Sequence, residues 1–110
     1  MKVTTKGHTI TIKDTEGNIA SFLEKINSQY NSFAEHNLIL DISQDSSVDV
    51  KSIKIFSDLF KKHKKSKKSI VIVIENIDFN KVPQSMVVVP TQLEAHDLIE
   101  MDEIERDLGF

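Results

Sequence analysis

The stretch NLILDISQDSSVDVKSIKIFSDLF, residues 37–60, contains a buried strand followed by a helix. Residues 38–40 are apolar without alternation, as in a central strand covered on both faces, and we expect that strand at residues 38–42. A polar link of Asp and Ser follows, and Asp49 is suited to cap a helix that runs to about Lys62. The expected apolar side of that helix comprises Ile53, Phe56, Leu59 and Phe60. This unit sets the fold class of the chain.

Two elements are predicted upstream of this unit. Apolar residues alternate with polar ones from Val3 to Ile12, on both sides of Gly7, which predicts a β-hairpin with its turn near that glycine. Asn18 then precedes a segment in which apolar residues recur at spacings of three and four from Ile19 to Phe33. That spacing predicts a helix with Asn18 as its N-cap.

Downstream of residue 60 we expect two more strands and a last helix. The aliphatic runs at residues 70–74 and 86–89 predict the strands, and residues 75–85, which include Pro83, predict an irregular connection with one helical turn at most. Thr91 and Glu94 have capping-box spacing and mark the start of the helix. Its expected apolar side comprises Leu93, Leu98, Ile99, Met101, Ile104 and Leu108, and Gly109 is suited to end it.

The order of elements is therefore β-β-α-β-α-β-loop-β-α. Short right-handed crossovers turn this order into an α/β fold with a mostly parallel β-sheet, one antiparallel edge strand and helices packed on it. A flavodoxin-like three-layer sandwich is the competing arrangement. With 110 residues and no internal repeat or linker, the chain is expected to form a single domain, residues 1–110.

Composition places the chain among ordinary water-soluble domains. The net charge is -3, charged residues make up 28%, and there is no Cys, which excludes disulfides and thiolate chemistry. Residues 1–8 lack the apolar core of a secretion signal, and the longest aliphatic run is too short to span a membrane. We therefore expect a cytoplasmic protein without membrane contact.

Asp41-Ile42-Ser43 at the strand end, followed by Asp49 at a helix start, resembles the STAS domain of anti-sigma factor antagonists and sulfate-transporter tails. In that family a strand ending Asp-Leu-Ser is followed by Asp-Ser-Ser-Gly at a helix start. Asp49 matches the Asp of that second motif, but Val50, Lys51 and Ser52 stand where the family has Ser, Ser and Gly. The phosphorylatable serine is thus replaced by Val50, which has no hydroxyl.

The resemblance implies a non-catalytic, regulatory module that binds another protein as a monomer or weak homodimer. The carboxyl ends of parallel strands are where α/β sheets gather ligands and partners. The expected partner-binding residues are Ser43, Asp45, Ser46, Ser47, Asp49, Lys51 and Ser52. Ser46, Ser47 or Ser52 could take a phosphoryl group in place of position 50. A small-molecule or nucleotide sensor at the same edge is an alternative.

A basic run offers a second kind of site. Its lysines are Lys61, Lys62, Lys64, Lys65, Lys67 and Lys68. Clustered lysines release counterions when they bind a polyanion, so an accessory factor in RNA processing is a further alternative. Because the run has no aromatic residues for base stacking and follows an expected helix end, it also fits a solvated C-terminus that complements the helix dipole.

Catalytic and metal motifs are missing from the sequence. There is no Gly-x-Ser-x-Gly, no phosphate-binding glycine loop, and only one pair, His96 and Glu100, has helical metal-ligand spacing. The ending of the chain, residues 103–110, is similar to that of short bacterial chains named ribonuclease Z. That enzyme family carries a His-x-His-x-Asp-His metal motif, which this sequence lacks. We therefore expect no enzyme activity, no metal and no cofactor.

Overall fold

The computed structural model describes residues 1–45 and 47–109. Its centre is a five-stranded sheet whose strands lie side by side in the order in which they occur along the chain. The strands are β1 (Lys2–Lys6), β2 (Thr9–Lys13), β3 (Asn37–Asp41), β4 (Ile70–Val73) and β5 (Val88–Val89). β1 pairs antiparallel with β2, and all other neighbours pair parallel. The predicted α/β class, mostly parallel sheet and antiparallel edge strand are confirmed.

Helices cover the two faces of the sheet unequally. They are α1 (Ile19–Ser28), α2 (Tyr30–Phe33), α3 (Val50–Ile53), α4 (Ser57–Lys65) and α5 (Gln92–Asp107). The first four contribute to one large apolar cluster with alternate residues of the strands, such as Ile12, Leu40 and Ile72. The other face is covered by α5, where Ala95 and Ile99 pack on Ile39, Val71 and Val73. Most of the core thus lies on one side of the sheet.

The hairpin and the cap of α1 form as the sequence predicts. Gly7 has a φ of +59°, a left-handed conformation that glycine adopts without steric cost. The Asn18 side chain accepts a hydrogen bond from the Ser21 amide at 3.1 Å. The expected single helix to Phe33 is instead two helices, α1 and α2, separated at Gln29. Tyr30 and Phe33 remain buried, so the apolar stripe continues across the break.

The helix after β3 starts at the predicted cap but is not continuous. Asp49 accepts a hydrogen bond from the Ser52 amide at 2.8 Å, and a 3₁₀ turn, Lys54–Phe56, separates α3 from α4. A 3₁₀ turn places side chains three apart on the same side, and both Ile53 and Phe56 are fully buried. The helix also continues beyond the expected Lys62 to Lys65.

The segment before α5 is largely irregular, as predicted. It contains one 3₁₀ turn, Phe79–Lys81, capped by Asp78. The expected strand at 86–89 is shorter, because the Met86 amide donates to the Pro83 carbonyl in a turn and Met86 packs into the large cluster.

The prediction for the apolar side of α5 is wrong. The helix is capped by Thr91 as expected and ends before Gly109, whose φ is +82°. Ile99 is buried, together with Ala95, which the sequence analysis did not select. Four of the six residues assigned to the apolar side are exposed: Leu93, Met101, Ile104 and Leu108. In the described part of the chain, no helix is long and apolar enough to cross a bilayer.

Candidate functional site

The carboxyl ends of β3 and β4 form an edge of the sheet at which the predicted polar residues converge. Asp41, the last residue of β3, is buried, and one of its carboxylate oxygens accepts hydrogen bonds from the Ser43 amide and hydroxyl. The other oxygen accepts from the Gln92 side chain at 2.7 Å. Asp41 therefore joins the end of β3 to the first turn of α5.

The same contacts control the charge of Asp41. Burial raises the pKa of its carboxyl, but the hydrogen bonds from Ser43 and Gln92, helped by Lys13, lower it by more in total. The net result is a pKa below the usual range. Both oxygens of the Asp41 carboxylate therefore accept hydrogen bonds within the protein, and the buried side chain is not available to a partner.

Two further Asp–Ser pairs follow along the same loop. The Asp45 carboxylate accepts from the Ser47 hydroxyl at 2.6 Å and amide at 2.9 Å, and the Ser47 contacts lower the Asp45 pKa. At the start of α3, the Ser52 amide and hydroxyl each lie 2.8 Å from Asp49 and lower its pKa. Asp49 is exposed, so this edge presents a charged carboxylate at the beginning of α3.

The loop after β3 and the connection after β4 meet in two hollows. The smaller, of about 70 Å³, lies between Ser43, Asp45 and Val48 on one side and Glu75 and Asn76 on the other. The larger is a groove of about 380 Å³. It is lined by Val48, Asp49, Val50, Lys51, Asn76, Ile77, Asp78 and Lys81. We call residues 43–45, 47–52 and 74–81 the carboxyl-end rim.

The rim brings together most residues that the sequence predicted for partner binding. Ser43 and Asp45 line the small hollow, Asp49 and Lys51 line the groove, and Ser52 contacts Asp49. Ser47 is exposed beside Asp45. Ser46 lies outside the described residues.

The hydroxyls of the rim are already paired with carboxylates. Ser47 donates to Asp45 and Ser52 donates to Asp49. A phosphoryl group on either oxygen would place about two negative charges against a carboxylate, which is unfavourable. Val50, which has no hydroxyl, is the first residue of α3.

The lysine run lies at the opposite, amino end of β4. Because α4 continues to Lys65, the first four of these lysines are on the helix and do not follow it as expected. Lys61 and Lys65 are exposed, and the Lys62 ammonium lies 4.1 Å from the centre of the Tyr30 ring. Lys64, Lys67 and Lys68 line a cleft of about 520 Å³ with Arg106. Three of the six polyanion-binding candidates thus line this cleft and the other three lie outside it. We call this hollow the lysine cleft.

Arg106 belongs to a polar cluster that the sequence analysis missed. Its guanidinium donates to the Ser69 hydroxyl at 3.0 Å and to the Asn37 side-chain oxygen at 3.3 Å. Ser69 also donates to Asp102 at 2.8 Å, and the Asn37 amide donates to Glu103. The cluster fixes the second half of α5 to the amino ends of β3 and β4. A possible signal is that Arg106 is the single Lys or Arg in an otherwise acidic helix.

A second missed feature is a buried histidine. His63 is fully buried on α4, its Nε2 lies 2.7 Å from the His36 carbonyl oxygen, and its Nδ1 lies 2.8 Å from the Tyr30 hydroxyl. Burial lowers the His63 pKa, as does Lys68, while the contact with His36 acts in the opposite direction. A carbonyl only accepts, so Nε2 carries the proton and the Tyr30 hydroxyl donates to Nδ1. His63 is therefore a neutral structural residue.

The remaining candidate for metal binding lies on α5. His96 and Glu100 line a shallow hollow of about 280 Å³ together with His8 and Glu103. The His8 Nδ1 and a Glu103 oxygen are 3.5 Å apart. Within residues 1–45 and 47–109, no group of three or more His, Asp or Glu side chains is arranged to hold a metal ion.

The sequence matches no protein-family model and no curated protein.

Proposed function

We propose that this chain is a non-catalytic, STAS-like regulatory module that binds another protein through the carboxyl-end rim. The observation that carries the proposal is the exposed Asp49 cap at the start of α3, with the Asp41–Ser43 pair at the end of β3. These are the positions at which the STAS pattern has its strand-end and helix-start motifs. The order of strands and helices also resembles that of the family, except between β4 and β5, where the family usually has a helix and this chain has one 3₁₀ turn.

The charges of the rim favour a polar protein surface as partner. Asp49 and Lys51 line one side of the groove, and Asp78 and Lys81 line the other. Mixed charges of this kind give orientation and specificity more than affinity. Val48 and Ile77 add apolar side chains to the lining of the same groove. Val50 has no hydroxyl, and the Ser47 and Ser52 hydroxyls already donate to Asp45 and Asp49.

The test is affinity purification from the native cell, with partners quantified by mass spectrometry. We expect Lys51→Glu, which reverses one exposed charge in the groove, to lose a protein that the wild type retains. Glu24→Lys is the matched control, because Glu24 is an exposed residue of α1 away from the rim. Equal recovery of every protein with both variants, or turnover of a small substrate by the purified chain, would contradict the proposal.

The lysine cleft supports a second candidate, an accessory RNA-binding role. Three lysines and the anchored Arg106 line one hollow, whose other lining residues include Ile70, Val87 and Asp102. We expect single-stranded RNA to bind with an affinity that decreases as salt is added. In a plot of the logarithm of the binding constant against the logarithm of the salt concentration, the slope should become shallower by about 0.7 for each phosphate contact removed.

The measurement is fluorescence anisotropy across a salt series. The variant replaces Lys64, Lys67 and Lys68 with Gln, and the control makes the same change at Lys2, Lys6 and Lys13 on the hairpin. The two variants have the same net charge, so their RNA affinities and salt slopes will differ only if the cleft is a binding site. Equal slopes for the two variants would eliminate this candidate.

A further inference from the structure

The outward side of α5 carries large apolar residues that contact little of the protein. The exposed fractions are 72% for Leu93, 58% for Met101, 59% for Ile104 and 67% for Leu108. Single exposed apolar residues are common, but a contiguous apolar patch on a folded protein often marks an interaction site. We call these four residues the α5 stripe.

The four residues share one side of the helix. At about 100° per residue, they fall within an arc of about 80°. Ala95 and Ile99, which pack on the sheet, lie on the opposite side of the same helix. The inward side is further fixed by Arg106 through Asn37 and Ser69. Rotation of α5 to bury the stripe would therefore break an existing core and a polar cluster.

Carboxylates border the α5 stripe on both sides. By the same angular spacing, Glu94 and Glu105 lie along one border, Glu100 and Asp107 along the other, and Asp97 falls inside the stripe. All five residues are exposed. None of them forms an ion pair with another of the described residues. The stripe is thus apolar except at Asp97, which lies between Leu93 and Met101, and both of its edges carry carboxylates.

The negative borders argue against a second copy of the chain as occupant. Met101, Ile104 and Leu108 have the three-and-four spacing of a coiled-coil seam, with Glu100 and Glu105 at the flanking positions that choose the partner. Pairing two α5 helices would place Glu against Glu in either orientation, which is repulsive. The same charges repel an anionic lipid surface.

We propose that the α5 stripe docks a basic amphipathic helix of another protein. Such a helix supplies apolar residues at three-and-four spacing to cover the stripe, and Lys or Arg at both borders to pair with the carboxylates. The stripe extends over 15 residue steps from Leu93 to Leu108, about 22 Å, which matches four helical turns. None of the four stripe residues belongs to the carboxyl-end rim, so the inference is independent of the function proposed above.

The test uses two synthetic helices of about 21 residues, each with Leu at the seam positions. One probe has Lys at the flanking positions and the other has Glu. Fluorescence polarisation with the full chain should show binding of the Lys probe, weakened by salt, and no binding of the Glu probe. Ile104→Asp should weaken the affinity for the Lys probe by about tenfold or more, because the substitution places a charge in the centre of the contact.

Two controls separate this docking from general attraction to an acidic protein. Ile55→Asp changes another exposed apolar residue, 42% exposed and outside α5, and should leave binding unchanged. The double variant Glu100→Lys/Glu105→Lys should reverse the preference so that the Glu probe binds more tightly. Circular dichroism of each variant verifies that α5 remains folded.

The proposal would be overturned by equal binding of both probes, by no binding of either, or by an unchanged preference in the double variant. A concentration-dependent dimer in sedimentation equilibrium that Ile104→Asp abolishes would also overturn it. Binding of the wild type to phosphatidylserine vesicles with loss in Ile104→Asp would likewise assign the stripe to a membrane.

Discussion

Replacing Tyr30 with Phe removes one oxygen atom from the interior and leaves the ring in place. That oxygen lies 2.8 Å from His63 Nδ1, and the imidazole is fully buried. Water cannot replace the lost donor unless the packing opens, so Nδ1 becomes a buried acceptor without a partner. An unsatisfied buried group of this kind costs about 1–3 kcal/mol. We expect the free energy of unfolding to fall by about 2 kcal/mol.

Urea denaturation at pH 7.5 measures this loss. The Phe ring keeps the edge-on contact with His63, whose centroid is 5.7 Å away, so the effect reports on the hydroxyl. The denaturant slope should not change if both states keep their compactness. Lys62→Met is the control, because it removes the cation over the ring and keeps much of the stem. We expect it to cost less, about 0.5–1 kcal/mol.

The reasoning fails if Tyr30→Phe changes the free energy of unfolding by less than about 0.5 kcal/mol. It also fails if Lys62→Met is the more damaging of the two, since the ring and its cation would then matter more than the buried hydrogen bond.

Three other predictions concern stability. Since burial lowers the His63 pKa, the unfolded state binds a proton more readily than the folded state. The contribution of His63 to the free energy of unfolding is therefore complete above the ordinary histidine pKa of about 6.5 and decreases as the pH drops below it. His63→Gln keeps a donor and an acceptor and should flatten that dependence in urea titrations between pH 7.5 and 5, whereas an unchanged slope would assign it to other groups. Ile99→Ala should cost about 2–5 kcal/mol and Leu93→Ala less than about 0.5, and similar losses in thermal unfolding would mean that the facing of α5 is misassigned. Thr91→Ala removes the α5 cap and should cost about 1 kcal/mol, while Thr91→Ser, which keeps the oxygen, serves as the control.

The sheet could be predicted from the sequence because its signals are local. Residues 38–40 and 70–73 are continuous aliphatic runs, and Gly7 supplies the left-handed turn of the hairpin. The sequence also predicted that the loop after β3 meets the connection after β4, because the carboxyl ends of parallel strands lie at the same edge of a sheet. The caps at Asn18, Asp49 and Thr91 could be located because each satisfies backbone amides a few residues away.

The orientation of α5 could not be predicted from periodicity. The helix has large apolar residues on one side and a smaller set, centred on Ala95 and Ile99, on the other. A count of hydrophobic residues favours burial of the larger side. The smaller side is the one that packs on the sheet, where Ala95 is fully buried and Arg106 donates a hydrogen bond to Asn37. Those contacts join residues that are far apart in sequence, so no local pattern carries them.

The lysine cleft and the His63 network escaped the sequence analysis for the same reason. The cleft forms because the end of α5 returns to the amino end of β4 and brings Arg106 against Ser69. The network forms because α4 places His63 against Tyr30, 33 residues earlier in the chain. Sequence spacing does not relate His63 to Tyr30 or to His36.

The unequal covering of the two sheet faces has a consequence for biosynthesis. Every buried residue of the large apolar cluster occurs in the sequence no later than Met86. Because a chain emerges from the ribosome amino end first, this cluster can begin to assemble while α5 is still within the exit tunnel. Until α5 emerges, Ile39, Val71 and Val73 lack the contacts with Ala95 and Ile99 that bury them in the folded chain. Once α5 packs on the sheet, the Arg106 contacts with Asn37 and Ser69 hold it there.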